Sequence, residues 1–162
     1  MIEIRYKQWV FEADPLKTKE IYQSITRSGA QNCGCDDCKN YLKQKERAFP
    51  DEIKELFEKL EIDFRKEAGV SYLDRRDDGY YQYHGWFHFI GKIAKGRKPK
   101  RLLFSKTQQI KFDTVTKNFE ILFQEKRDLA HKELNGYPLA QLEFVTFLPW
   151  IIEEKEPDYL NE

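Results

Sequence analysis

Residues 79–91, GYYQYHGWFHFIG, constrain the architecture of this chain more than any other stretch. Apolar and polar residues recur there with a period of two, the signature of a β-strand rather than a helix. Strict alternation puts Tyr81, Tyr83, Phe87 and Phe89 on one face. Tyr80, Gln82, His84, Trp86 and His88 fall on the other. The first face reads as core. The second mixes aromatic bodies with polar tips, a composition shared by binding surfaces and by half-buried sheets lying under a helix. Upstream amphipathic helices need a surface to pack on, so they are expected over this second face, with Trp86 buried. Gly85, at the midpoint, is expected to mark a bulge, as isolated strand glycines often do.

The period changes near residue 66. Before it, IEIRYKQWVFE alternates charged and apolar residues and reads as one strand with a wet face. Asp14-Pro15 supplies an N-cap and first-turn pair for a helix over LKTKEIYQSITRSG that ends before Gly29. A second helix is expected from about Asp36 to Ala48, with Cys38, Tyr41, Leu42 and Phe49 sharing a face until Pro50 breaks it. DEIKELFEKL then places Ile53, Leu56, Phe57 and Leu60 on one stripe of a third helix. After residue 66 the strand pattern dominates, with Asp78-Gly79 as a hairpin turn. RLLFS, QIKFDTV and NFEILFQE read as further strands, Asn135-Gly136 as a turn, and QLEFVTFLPWI as the closing strand.

The expected fold is a single α+β domain spanning 1–162. It has an N-terminal strand, a three-helix block over about 14–66, an antiparallel sheet or sandwich over about 67–152, and an acidic tail at 153–162. The first and last strands are expected either to pair or to flank a sandwich. About 50 helical residues would make a poor core alone, so the change near residue 66 is a change of layer rather than a domain boundary.

Charge narrows the partners. The 28 basic and 28 acidic residues cancel, leaving no global field to draw the chain onto nucleic acid or an anionic membrane. No apolar run approaches the roughly 20 residues of a membrane helix. The N-terminus lacks a signal peptide's apolar stretch, and three cysteines in such a chain point to reduced thiols in a cytoplasm. A protein partner fits this profile better than nucleic acid does.

Candidate chemistry centres on NCGCDDCKNY, which packs Cys33, Cys35 and Cys38 into six positions. As a zinc site these thiolates require a fourth ligand, a histidine or a carboxylate, for which a remote one of His84, His88 and His131 is expected. On a regular strand His84 and His88 lie about 13 Å apart, too far to share one ion. As a redox pair, Cys35 and Cys38 form a Cys-x-x-Cys at a helix start, but Asp36 and Asp37 oppose a thiolate there. The default reading is structural, with Cys38 on the core stripe and Cys33 and Cys35 packed where the helix begins. Zinc is thus the alternative cofactor, and the favoured expectation is none.

Two further groups could bind a partner. One is the sheet face of Tyr80, Gln82, His84, Trp86 and His88. The other is the basic loop KIAKGRKPKR, with Lys95, Arg97 and Lys98 among its six cations. No phosphate loop, nucleophile elbow or HExxH signature occurs.

CGCDDCKNYLKQKE with Cys35, Cys38 and Asn40, Phe49-Pro50, LEIDFRKEA, YHGWFHFIG and QLEFVTFLPWI together resemble a family of small uncharacterised bacterial proteins. The resemblance runs from residue 33 to 152 and implies one bacterial cytoplasmic domain, without a reaction type. It departs at Glu61, where the family pattern has glycine in Leu-Gly-Ile-Asp, which leaves the end of the third helix open. The favoured expectation is a non-enzymatic binding or interaction domain; the alternative is a thiol- or zinc-dependent site at the cysteines.

Overall fold

The computed structural model describes residues 1–97 and 111–154. Lys98, the rest of the basic loop through Arg101, and the strand expected over RLLFS lie outside the described residues. The elements run β1 (Ile2–Tyr6), β2 (Trp9–Ala13), α1 (Pro15–Ser24), α2 (Gly29–Cys33), α3 (Asp36–Leu42), α4 (Lys45–Ala48) and α5 (Asp51–Leu60). Then come β3 (Gly69–Arg75), β4 (Tyr81–Lys95), β5 (Asp113–Thr116), β6 (Phe119–Gln124), a 3-10 turn at Lys132–Leu134 and β7 (Leu139–Leu148). The described residues form an α+β fold, as the periodicities predict, and the open choice between sheet and sandwich falls to a single sheet.

The seven strands of the described residues join one antiparallel sheet in the order β1-β2-β4-β7-β6-β5, with β3 also paired to β4. Two expectations need correction. The N-terminal strand is a hairpin, because Lys7 adopts a left-handed φ of 50° and turns the chain back on itself. The closing strand neither pairs with the first nor flanks a sandwich: β7 lies inside the sheet between β4 and β6 and does not meet β1. Its buried alternation on both faces suits only an interior strand.

β4 organises the molecule. Its 15 residues pair with β3 over Tyr81–Trp86, with β7 over Tyr81–Ile90 and with β2 over Gly91–Lys95. The pairing with β7 runs unbroken through Gly85 opposite Phe144, so no bulge occurs there. Glycine is required for a different reason: a Cβ at 85 would overlap the tip of the Phe144 ring and lie 2.9 Å from Val70 Cγ2.

The helices cover the Tyr81–Tyr83–Phe87–Phe89 face, not the face carrying Trp86, which corrects the layer assignment. Phe49 is the hub of that interface. Its ring packs edge-on against Phe57, Phe87, Phe119 and Phe144 at centroid distances of 5.1 to 5.8 Å. Such geometry adds to ordinary apolar burial by aiming a ring edge at a neighbour's face. Pro50 stops α4 beside that residue, and α5 restarts with Ile53, Leu56, Phe57 and Leu60 all buried.

The expected second helix is two pieces, α3 and α4, and a helix the sequence reading missed, α2, precedes them. Ser28 caps α2 reciprocally: its Oγ accepts from Gln31 N at 3.2 Å, and Gln31 Oε1 accepts from Ser28 N at 2.8 Å. α5 ends with Glu61 at φ 58°, ψ 37°, the left-handed position that favours glycine.

Candidate metal centre

The cysteine cluster begins with how α2 and α3 meet. Gly34 closes α2 at φ 70°, and Cys35 then serves as N-cap of α3, its Sγ accepting Cys38 N–H at 3.4 Å. This bend swings Cys33 Sγ to 3.3 Å from Cys35 Sγ, and all three sulfurs lie within 4.8 Å of one another. Cys38 is buried at 3% exposure, as its place on the core stripe predicts. Cys33 and Cys35, however, are exposed, which overturns the expectation that they pack where the helix begins.

The thiols are electrostatically unequal. The Cys35 backbone N–H and the neighbouring thiols hold Cys33 below the ordinary thiol range, against the opposing charge of Asp37. Burial pushes Cys38 far above it, and hydrogen bonding and charge from Cys33 and Cys35 add to that rise.

Side-chain amides pin this segment to the sheet. Asn40 Nδ2 donates to Tyr83 Oη at 3.1 Å and to Pro149 O at 3.0 Å, while its Oδ1 accepts from Ile151 N at 2.8 Å. Gln44 Nε2 donates to Pro149 O at 2.8 Å, and Tyr83 Oη donates to Asp37 O at 3.0 Å. On the other side, Lys45 Nζ lies 2.9 Å from Glu67 Oε2 in a buried ion pair, and Glu67 Oε1 accepts the N–H of Ala30 in α2 at 3.1 Å. Gly29 has to be glycine because a Cβ would overlap Ala68 O. The sequence reading identified the cysteines but not this clamp, since Lys45 and Glu67 are 22 positions apart and look like ordinary surface charges.

The remote histidine expected as a fourth ligand does not join the sulfurs. His84 Nε2 lies 3.1 Å from Glu143 Oε2, His88 Nε2 lies 3.0 Å from Gln141 Oε1, and His131 Nε2 lies 3.0 Å from Lys66 O. His84 and His88 therefore belong to a polar network on the second face of the sheet. There Gln141 Nε2 donates to Glu143 Oε1 at 2.6 Å, and Gln124 Nε2 donates to the same oxygen. Burial would raise the Glu143 pKa, but His84 and the two amides outweigh it and hold the carboxyl below its ordinary value. The sequence signal for these partners was available: Gln141 and Glu143 alternate with Leu142 and Phe144 along β7.

Among the expected partner-binding residues, His88 is fully buried and cannot touch a partner, which corrects its assignment. Trp86, expected buried, is only partly buried, with its ring 4.4 Å from that of His84. Gln82 is half-buried on β4. Tyr80 lies just outside the strand beneath Arg76, whose guanidinium carbon sits 5.2 Å from the ring centre. Lys95 is exposed at the far end of β4, and Arg97 is held by Asp113 Oδ1 at 2.7 Å and Lys111 O at 2.8 Å. These two do not gather with the Trp86 group, and Lys98 lies outside the described residues.

No protein-family model, curated protein or solved structure matches this chain. No helix among the described residues is long and apolar enough to cross a membrane.

Proposed function

We propose that the protein binds a thiophilic d10 metal ion, zinc in the first place, through Cys33, Cys35 and Cys38. One observation carries this reading: three sulfurs converge within 4.8 Å on a segment pinned to the sheet from both sides. Zinc–sulfur bonds of about 2.3 Å in a tetrahedron require sulfurs about 3.8 Å apart. The observed spread, from 3.3 Å to no more than 4.8 Å, brackets that value, so small side-chain rotations suffice. Thiolate donors select soft or borderline ions over magnesium and calcium. Three protein ligands leave one zinc position for an exogenous donor. The ion would supply a fixed positive charge to a thiolate cluster that otherwise repels itself beside Asp36 and Asp37.

The test is metal content of protein purified without chelator or affinity tag. One ion per chain is expected, lost in Cys33→Ala, which removes an exposed side chain, and in Cys35→Ala, which also removes the α3 cap and is therefore checked for an unchanged circular dichroism spectrum. A chain that takes up no zinc from a buffered solution, or variants that retain it, would overturn the proposal.

A further inference from the structure

We propose that Cys33 is a site of oxidation by hydroperoxides, with Cys35 as the resolving thiol, so that a Cys33–Cys35 disulfide forms and expels the metal ion. The expulsion rests on the metal reading above; the oxidation site rests on geometry of its own. Cys33 and Cys35 are the exposed pair and their sulfurs stand 3.3 Å apart, whereas Cys38 is 3% exposed within the core. A peroxide can therefore reach Cys33 and Cys35 but not Cys38. Closing a bond of about 2.05 Å between the exposed pair needs roughly 1.3 Å of approach. Gly34, between them, has room for it: a Cβ there would meet no atom within 4 Å. The spacing in sequence favours Cys35 with Cys38, the familiar Cys-x-x-Cys; Cys38, although its sulfur lies within 4.8 Å of the other two, is 3% exposed and out of a peroxide's reach, and Cys35 Sγ accepts its N–H. The fold thus pairs the cysteines two apart rather than three apart.

The chemistry balances without a cofactor. The Cys33 thiolate attacks the distal oxygen of a hydroperoxide, the O–O bond breaks, and the alkoxide or hydroxide leaving group takes up a proton to give the alcohol or water. Cys33 is then a sulfenic acid. The Cys35 thiolate attacks its sulfur, the S–O bond breaks, hydroxide leaves and is protonated to water, and the disulfide closes. Two thiols are oxidised by two electrons and one peroxide is reduced. A bound ion ties up the sulfur lone pairs that attack, so the loaded site reacts slowly; once oxidised, two of the three ligands are gone and the ion cannot be held.

The experiment compares reduced, metal-free protein with the zinc-loaded form, each exposed to hydrogen peroxide. Thiols left over are alkylated under denaturing conditions, and the tryptic peptide spanning Ser28–Lys39 is fragmented. The expected product has lost two hydrogens and carries its one alkyl group on Cys38. Cys38→Ala should still form the bond, and Cys35→Ser should leave Cys33 to over-oxidise. Zinc loading should slow the reaction about tenfold, with zinc released in step as read by a chromogenic chelator. A disulfide mapped to Cys35–Cys38, or lost in Cys38→Ala, overturns the assignment. A chain that binds zinc but forms no Cys33–Cys35 bond overturns the oxidation site and leaves the metal reading standing. A chain that forms the bond but never takes up zinc overturns the metal reading and supports the oxidation site.

Discussion

His88 should make the fold acid-sensitive in a window where no ordinary carboxylate titrates. Its ring is fully buried, and its Nδ1 has no hydrogen-bond partner among the described residues. Gln141 Nε2 donates to Asp128 Oδ2 at 3.1 Å and to Glu143 Oε1, which turns Gln141 Oε1 toward the imidazole. His88 therefore donates from Nε2 and carries a bare lone pair on Nδ1. Protonating it would bury a charge, and that desolvation lowers its pKa from 6.5 to about 4. His131 and Arg127 push the same way, while the Gln141 hydrogen bond and Asp128 oppose them. The unfolded chain then binds the proton more readily than the folded one. Stability is complete above the unfolded value of 6.5 and declines as pH falls toward about 4. Those two values give a loss of about 2 kcal/mol between about pH 7 and about pH 5. Glu143, whose folded pKa is depressed, adds its own loss only below its unfolded value of 4.5. Urea melts at both pH values measure the effect, with His88→Phe as the variant whose slope should flatten. Proton NMR of the His88 ring should show no titration above about pH 5. A ring titrating near its ordinary value, or melts that do not move, would refute the burial argument.

Other perturbations probe the remaining layers. Gly85→Ala should cost about 1–3 kcal/mol through collision with Phe144, even though alanine is intrinsically the better strand residue. Phe144→Leu in the same chain should recover part of that loss, and a double-mutant cycle with no coupling would refute the contact. Glu61→Gly should stabilise by about 0.5–1 kcal/mol, since Glu61 holds the left-handed cap of α5; a thermal melt that falls instead would show that its side chain matters. Glu67→Gln should cost about 3–5 kcal/mol by leaving Lys45 buried and unpaired, and Lys45→Met combined with Glu67→Leu should restore most of it. Equal losses in the single and double variants would contradict that account.

What was legible in the sequence follows the reach of the interactions. Alternation along β4 gave the two faces correctly because side-chain direction in a strand is a local property. It could not say which face the helices cover, since both carry aromatic residues. That choice is made by Phe49, which meets Phe87, Phe119 and Phe144 from a helix boundary far away in sequence. The Gly85 expectation failed in an instructive way. Local rules read a strand glycine as a bulge, but here it clears space for a ring on the neighbouring strand. The end of the third helix was left open at Glu61, and the backbone there adopts the left-handed conformation that glycine prefers. Cys33 and Cys35 were misplaced because the α2 cap, set by Ser28 and Gln31, was overlooked, and without α2 the turn at Gly34 has no direction.

The spacing Cys-x-Cys-x-x-Cys-x-Asn gains its sense from that arrangement. Cys35 caps α3, Cys38 falls on its inward side, and Asn40 ties the helix to Tyr83 and to the chain after β7. Small zinc domains that fold only with metal spend most of the binding energy on ordering the chain. This segment is ordered already, by the Asn40 and Gln44 amides on one side and by the Lys45–Glu67 pair on the other. The aromatic core beneath it is complete without any ligand. An ion bound here would meet a preformed set of sulfurs, and its affinity would be used for holding the ion rather than for folding. Loss of such an ion by oxidation would then leave a folded protein whose exposed surface had changed, with the sheet and its core as they were.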